Sequence, residues 1–322
     1  KGGSDMKRRQ FLKAAAISSL AIQQGNLAFL AGCTAGGQIA RRPYKDGAEL
    51  SIIGFGGIVV IGMEQKDADR TVADSVDRGV NYFDVAPSYG KGEAEEKLGP
   101  ALRPHRGKAF LACKTQMRDA EGARQELEQS LKRLHTDHFD LYQLHAMSKM
   151  EDVEKVLAPG GAMELFEKAR EEGKVRYLGF SAHSAEAAVA LMDRYPFDSI
   201  LFPINYVCYA EGNFGPQVME KAEEKGVARL ALKALAHARR KKGEERKYKK
   251  CWYHAIDELE LAQRALRFTL SEEVTAAVPP GDEGLYQMAL DLSTGYKPLS
   301  PEERAQLLAD AEGVNPLFKA RV

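Results

Sequence analysis

Short apolar segments alternate with longer amphipathic segments along most of this chain. Eight apolar runs occupy residues 50–55, 80–85, 109–114, 139–145, 175–180, 199–207, 227–233 and 275–278. The intervening stretches have helical periodicity: Leu127, Leu131 and Leu134 recur one turn apart on a single face. This alternation predicts parallel strands connected by helices.

The number of strand and helix pairs indicates one fold. A (β/α)₈ barrel typically takes about 250 residues, so we predict that residues 41–322 form a single α/β domain, a (β/α)8 TIM barrel. Asp46 and Gly47 separate two short alternating segments, which predicts an N-terminal β-hairpin at the lower mouth of the barrel. We predict that the last helix starts with Ser300 as N-cap and Glu303 in a capping box, and ends at Gly313.

Residues 1–40 carry a different pattern, which we interpret as a tag remnant (residues 1–5), an export signal and a linker. Arg8 and Arg9, followed by an apolar stretch, resemble the twin-arginine signal. The segment LAGC ending at Cys33 resembles a lipobox, in which Cys33 is lipidated. We therefore expect an exported protein, either periplasmic or a lipoprotein anchored peripherally to the membrane through Cys33. The alternative is a chance basic amphipathic helix.

The composition excludes several classes of protein. Lys and Arg number 46 and Asp and Glu number 46, so the net charge is zero, with 44% hydrophobic residues and a mean hydropathy of −0.38. A soluble globular protein fits these values, and the absence of a basic surplus argues against a nucleic-acid partner. The four cysteines contain no CxxC pair, so we predict no metal site.

Polar side chains end three successive predicted strands. Asp84 lies near the end of the second apolar run, Lys114 ends the third and His145 ends the fourth. In a parallel barrel the carboxyl ends of the strands meet at one mouth, where active sites lie. We therefore expect these three side chains to share a site.

Longer segments around these positions resemble the aldo-keto reductase family. They read FDVAPSYGKGEAEEKLG, LYQLH, GFSAHS and LALKALA, and the resemblance covers about residues 49–292. It implies a catalytic tetrad of Asp84, Tyr89, Lys114 and His145. Tyr89 would be the general acid and base, and His145 would orient the substrate oxygen. Because a free tyrosine has a pKa of about 10, we expect Lys114, held by Asp84, to lower the pKa of Tyr89.

The resemblance also implies a nicotinamide cofactor, NADP or NAD, bound across the barrel mouth. Leu232 stands where the family often stacks an aromatic ring on the nicotinamide. Asp282 favours a free ribose hydroxyl and hence NAD, whereas the basic loop 239–250 favours additional phosphate, so the choice stays open. The expected cofactor-binding residues are Gly56, Gly57, Ser181, Asn205, Leu232, Lys233, Pro280, Gly281 and Gln287.

We therefore predict an NAD(P)-dependent oxidoreductase that interconverts a small-molecule carbonyl, which is an aldehyde, a ketone or a sugar-like compound, and its alcohol. Trp252 and Tyr253 form either a core plug or a wall over the substrate. Two alternatives stay open. One is a catalytically weak nicotinamide-binding protein that senses redox state or binds partners, and the other is a Schiff-base lyase that uses Lys114. The sequence leaves the substrate and the oligomeric state undefined.

Overall fold

The structure, a computed structural model, describes residues 37–320. The twin-arginine pair and Cys33 lie outside the described residues, so export and lipidation stay predictions. A compact unit begins at Gln38. Within residues 37–320, none of the helices combines the length and the apolar character that crossing a membrane requires.

A β-hairpin leads into the barrel, as the sequence predicts. Strand β1 (Arg41–Pro43) pairs antiparallel with β2 (Glu49–Ser51), and φ is 50° at Asp46 and 79° at Gly47. Positive φ at two adjacent turn positions is typical of the tight turns that join hairpin strands. Tyr44 packs its ring 5.1 Å from that of Phe110 and donates a hydrogen bond from its hydroxyl to Ser199 Oγ at 2.9 Å. Phe110 and Ser199 begin their strands, so the hairpin covers the amino-terminal end of the barrel.

Eight parallel strands form the barrel within residues 37–320. Ile53 bridges Ala277 in parallel, and the Gly54 amide donates to the Ala277 carbonyl at 2.9 Å, which closes the sheet between its first and last strands. The barrel strands are β3 (Phe55–Gly56), β4 (Tyr82–Asp84), β5 (Phe110–Thr115), β6 (Phe139–Met147), β7 (Val175–Ala182), β8 (Ser199–Pro203) and β9 (Ala228–Leu232); after the short pair β10 (Ala236–Ala238) and β11 (His254–Ala255) comes the last barrel strand, β12 (Ala276–Val278).

The helices pack around the barrel, and three predicted boundaries are wrong. The run 50–55 is divided between β2 and β3, the run 199–207 ends as a strand at Pro203, and the last helix stops at Ala309 rather than Gly313. The capping box of Ser300 and Glu303 is confirmed. The α-helices are Gln65–Asp77, Glu93–Leu102, Ala120–Arg133, Met150–Leu157, Ala162–Glu171, Ala185–Arg194, Tyr206–Gly212, Pro216–Glu224, Leu259–Ser271, Glu283–Ser293 and Pro301–Ala309.

Alternation along the strands separates two apolar clusters and places the polar residues. Tyr82, Phe110 and Leu141 belong to a small cluster inside the barrel, whereas Phe83 and Leu111 belong to the larger cluster between barrel and helices. Since successive strand residues point to opposite faces, the residues two positions after Tyr82 and Leu141 also face inward. These are Asp84 and Gln143, which form a polar layer above the apolar one.

Candidate active site

A cavity of about 410 Å³ opens at the carboxyl ends of the barrel strands. All four members of the predicted tetrad line it, and so do both residues of the predicted substrate wall. Of the predicted cofactor residues, five line it as well. The predicted residues in its lining are Asp84, Tyr89, Lys114, His145, Ser181, Leu232, Lys233, Trp252, Tyr253, Pro280 and Gly281.

Asp84 and Lys114 form a buried ion pair at the base of the cavity, with side chains 3% and 1% exposed. Lys114 Nζ also donates to the Val85 carbonyl at 3.3 Å, and Asp84 Oδ2 accepts from Tyr82 and Gln143 at 3.1 Å each. Burial alone would lower the pKa of Lys114, but the Asp84 carboxylate and the Tyr89 phenol outweigh it and raise that pKa. Lys114 is therefore an ammonium at neutral pH.

Tyr89 lies beside both Lys114 and His145. Lys114 Nζ is 5.5 Å from the centre of the Tyr89 ring, and the His145 ring is 5.6 Å away at an interplanar angle of 83°. Burial raises the pKa of Tyr89, and the opposing effect of Lys114 does not cancel it. The expectation of a lowered pKa is therefore wrong for this structure: removal from water outweighs the nearby cation, and the phenol stays protonated at neutral pH.

His145 is held as a neutral imidazole. Burial, followed by the charge of Lys114, lowers the pKa of His145 to about 3. Ser88 Oγ lies 3.4 Å from His145 Nδ1. When the Ser88 hydroxyl donates to Nδ1, the single ring proton lies on Nε2. His145 can then donate a hydrogen bond to a substrate oxygen without carrying charge.

The ends of β7 and β8 provide hydrogen-bonding groups suited to an amide. Ser181 Oγ lines the cavity and accepts from the Ala146 amide at 2.8 Å. Asn205 is buried, and its Oδ1 accepts from the Cys208 amide at 2.8 Å. Its Nδ2 is buried without a partner among the described residues. Buried donors are normally paired, so the residues present fit the carboxamide oxygen of a nicotinamide nucleotide.

Four of the predicted cofactor residues lie outside the described lining of the cavity: Gly56, Gly57, Asn205 and Gln287. A Cβ on Gly57 would lie 2.7 Å from Val85, so close packing alone requires a glycine there. Gln287 Oε1 lies 3.5 Å from Arg78 NH1. These positions keep their cofactor role only as a prediction.

Asp282, which favours NAD in the sequence, caps the helix Glu283–Ser293. Its Oδ1 accepts from the Gly284 amide at 3.1 Å and from the Leu285 amide at 3.3 Å. The carboxylate therefore already occupies the helix N-terminus, where a phosphate would otherwise bind. Lys250, whose Nζ donates to the Val59 carbonyl at 2.7 Å, lies close enough to Asp282 for that carboxylate to affect its pKa.

Trp252 forms part of the cavity wall and is 40% exposed, so it is not a core plug. Its ring lies 5.4 Å from that of Tyr253 and 6.0 Å from that of Phe318. Tyr253, in contrast, is 5% exposed. Phe318 stacks on His183 at 5.2 Å, with an angle of 19° between the rings.

The sequence did not single out four residues of the site: Gln143, His183, Lys250 and Phe318. Gln143 could have been found, because it precedes His145 by two positions on one strand and therefore shares its face. Lys250 and Phe318 come from irregular segments, which lack a periodic pattern that would place them.

Comparisons with known proteins agree with this geometry. The model of the Aldo/keto reductase family matches residues 53–282. The aldo-keto reductase YhdN of Bacillus subtilis is 33% identical over 49% of this chain and 51% of its own length. L-galactose dehydrogenase of Arabidopsis thaliana is 26% identical over 59% of this chain and 63% of its own length. The chain thus matches about half to two thirds of the length of these curated relatives.

Solved structures share the fold over a larger part of the chain. The holo form of aldo-keto reductase AKR11C1 from Bacillus halodurans superimposes with a TM-score of 0.68 at 23% identity, covering 87% of this chain and 99% of its own. The glycerol dehydrogenase AKR11B4 from Gluconobacter oxydans gives a TM-score of 0.63 at 22% identity, covering 90% of this chain and 100% of its own. At these identities the likeness establishes the barrel fold.

Proposed function

Since the chain belongs to the aldo/keto reductase family, we propose that it is an NAD(P)-dependent oxidoreductase that interconverts an aldehyde, ketone or sugar-like carbonyl and the corresponding alcohol. Tyr89 is the general acid and base of this reaction. One observation carries the proposal: a protonated phenol, a neutral imidazole and a buried ammonium line a single cavity. Proton donation to a carbonyl oxygen requires an acid within hydrogen-bond reach.

Each residue has a separate task in the proposed reduction. The nicotinamide, held by Ser181, Asn205 and the residues near Gly281, supplies the hydride when bound. Tyr89 gives its proton to the oxygen as negative charge develops there. His145 donates a hydrogen bond to the same oxygen, and Lys114 stabilises the resulting phenolate. Asp84 keeps Lys114 protonated and fixed.

The ion pair disfavours the alternative of a Schiff-base lyase at Lys114. An amine must be neutral to attack a carbonyl, whereas Lys114 is paired with Asp84 and its pKa is raised. The alternative of a weakly catalytic sensing or interaction protein predicts that Tyr89 is dispensable, and the experiment below separates it from an enzyme.

Three finer points belong to the proposal and are supported by the sequence. The cofactor is NADP or NAD, and Lys250 provides a cation for its phosphates. The twin-arginine motif supports export, and the lipobox supports a lipid on Cys33. The lipid is tested by comparing the intact mass of the protein from the membrane fraction with that of a Cys33→Ala variant. If the two masses differ only by the Cys-to-Ala substitution, Cys33 carries no lipid.

The test of the proposed function is Tyr89→Phe, which removes only the phenolic hydroxyl. We expect kcat to fall by a factor of about 10² to 10⁴. The Kd of the nicotinamide cofactor, measured by the fluorescence of Trp252, should change less than twofold. Tyr195→Phe is the control, because Tyr195 precedes β8 at the opposite end of the barrel. Wild-type turnover in Tyr89→Phe would refute the role of Tyr89, whereas negligible turnover in both proteins would support the sensing alternative.

A further inference from the structure

The charges around the cavity do not balance. Among the described lining residues three are lysines, Lys114, Lys233 and Lys250, and one is an acid, Asp84. Asp84 neutralises Lys114. Burial lowers the pKa of His145 to about 3 and that of His183 to about 4, so both rings are neutral. The lining therefore attracts anions.

Lys250 lies at the side of the cavity where the helix Glu283–Ser293 begins. Its ammonium donates to the Val59 carbonyl. Burial lowers the pKa of Lys250, and the carboxylates of Asp282 and Glu283 oppose that shift only in part. This cation has oxygen partners within the chain. Lys233 differs in this respect.

Lys233 presents an ammonium without an oxygen partner. Its Nζ lies 4.7 Å from the centre of the Tyr253 ring and 5.5 Å from that of Trp252. Within residues 37–320 no hydrogen bond or ion pair of this ammonium is found. Aromatic faces attract a cation, but they cannot accept its three N–H groups as oxygen atoms do.

The backbone at Lys233 is also unusual. The residue directly follows β9 and has φ of 71°, a left-handed conformation that non-glycine residues adopt rarely. Strained backbone of this kind clusters at functional sites. The strain, the cavity and the unpaired ammonium are three independent observations at one residue.

We propose that Lys233 binds an anionic oxygen group of the substrate, so that the enzyme favours carbonyl compounds bearing a carboxylate over neutral ones of similar size. The inference rests on the proposed function, with the carbonyl at Tyr89 and His145 and the carboxylate at Lys233. Leu232, Trp252 and Tyr253 supply the apolar wall for the carbons between them. A cofactor phosphate has similar chemistry, so the experiment includes a separate arm for it.

The first arm compares matched substrates. The acid and neutral pairs are glyoxylate with acetaldehyde, succinic semialdehyde with butanal, and glucuronate with glucose. We expect the wild type to favour the acid by at least tenfold in kcat/KM for one pair, and Lys233→Gln to lower that ratio at least tenfold. Lys233→Arg, which keeps the charge, should stay within threefold of the wild type. An equal ratio in the wild type and Lys233→Gln would overturn the proposal.

The control is Lys242→Gln, since Lys242 is an exposed lysine of the basic loop 239–250 and does not line the described cavity. It removes one positive charge without touching the site. An acid-to-neutral ratio that falls equally in Lys242→Gln would mean that net charge, rather than Lys233, attracts the acids, and would overturn the proposal.

The second arm needs no turnover. Trp252 is the only tryptophan of the protein, so its fluorescence reports ligands beside Lys233. We expect succinate, added with a saturating concentration of NAD or NADP, to bind at least tenfold more weakly to Lys233→Gln than to the wild type. If instead the Kd of the dinucleotide cofactor rises tenfold and succinate binding is unchanged, Lys233 holds a cofactor phosphate and the proposal is wrong.

The two arms also separate this proposal from the proposed function. A wild type that reduces none of the six carbonyl compounds with either nicotinamide would count against the proposed function, whereas the succinate titration would still decide whether Lys233 is an anion site. Circular dichroism and Tm of each Lys233 variant verify folding, and Lys233→Arg supplies the informative comparison if Lys233→Gln does not fold.

Discussion

At the scale of single residues, burial sets the protonation states of the site. It raises the pKa of Tyr89 and lowers that of His145 to about 3. Between about pH 6 and pH 9 the phenol is therefore protonated and the imidazole neutral. Both groups are in the form that reduction requires, whereas oxidation of the alcohol requires the phenolate.

The two directions should consequently differ in pH dependence. We expect kcat/KM for reduction of a neutral carbonyl compound to stay level between about pH 6 and pH 9, and kcat/KM for oxidation to rise about tenfold per pH unit, because the phenolate fraction rises tenfold per unit below the pKa. For a carboxylate substrate kcat/KM for reduction should fall above about pH 8, because burial lowers the pKa of Lys233 to about 8. Initial rates in constant-ionic-strength buffers measure both profiles. A reduction profile that falls with a midpoint near pH 6.5 would show a titrating imidazole instead.

Asp84 is expected to matter for stability as well as for turnover. Asp84→Asn leaves the Lys114 ammonium buried without its carboxylate, and breaking a buried ion pair in this way costs about 3–5 kcal/mol. We expect the free energy of unfolding in urea to fall by that amount. The double variant Asp84→Asn with Lys114→Met should recover part of the stability and none of the activity. If the double variant is less stable than Asp84→Asn, the ammonium is not the source of the loss.

At the scale of elements, a left-handed turn fixes Tyr89 above the barrel. Gly90, Lys91 and Gly92 have φ of 61°, 57° and 101°, and a Cβ on Gly92 would lie 2.7 Å from the Arg133 guanidinium. Arg133 in turn donates to the buried Glu95 at 3.1 Å. A side chain at Gly92 would therefore have to displace the Arg133 guanidinium, and φ of 101° is strained for any residue other than glycine.

Gly92→Ala should displace Tyr89 and destabilise the fold. A non-glycine residue in such a conformation lowers the free energy of unfolding by about 1–3 kcal/mol. Because Tyr89 is displaced, we expect kcat to fall while the Kd of the nicotinamide cofactor is unchanged. Urea unfolding and steady-state kinetics check the two effects. Gly107→Ala is the matched control, because a Cβ there meets nothing within 4 Å; equal losses in both variants would contradict the argument.

The elements also show how far the sequence leads. The position of Asp84, Lys114 and His145 at the ends of successive strands was enough to bring them together, since the carboxyl ends of the strands meet at one mouth of a parallel barrel. The division of run 50–55 was not predicted, because the run is continuously apolar around Gly54, and the packing of Tyr82 against Gly54 is a tertiary contact. Lys250 and Phe318 reach the cavity from irregular segments, whose paths depend on tertiary contacts rather than local patterns. The raised pKa of Tyr89 likewise depends on burial, which motifs do not report.

At the scale of the whole molecule, stability and chemistry lie at opposite ends of the barrel. Tyr44 packs against Phe110 and Tyr177 at the amino-terminal end, whereas the cavity opens at the carboxyl end. We expect Tyr44→Ala to reduce the free energy of unfolding by about 3–5 kcal/mol, as removal of a buried aromatic ring does. The KM of the folded enzyme should stay unchanged.

Tyr44→Phe separates the ring from the hydroxyl. It loses the hydrogen bond to Ser199 and keeps the packing, so a loss of about 1 kcal/mol is expected. Thermal unfolding followed by circular dichroism measures both variants. A KM shift in either variant, at a temperature where the protein is fully folded, would show that the two ends are coupled.

The hairpin across the amino-terminal end has a kinetic consequence. Because that end is covered, the nicotinamide cofactor and the carbonyl compound must both enter through the opening at the carboxyl end of the barrel. The molecule that binds deeper in the cavity therefore has to enter first and leave last. Turnover would then follow a compulsory order, in which the outer reactant blocks the exit of the inner one.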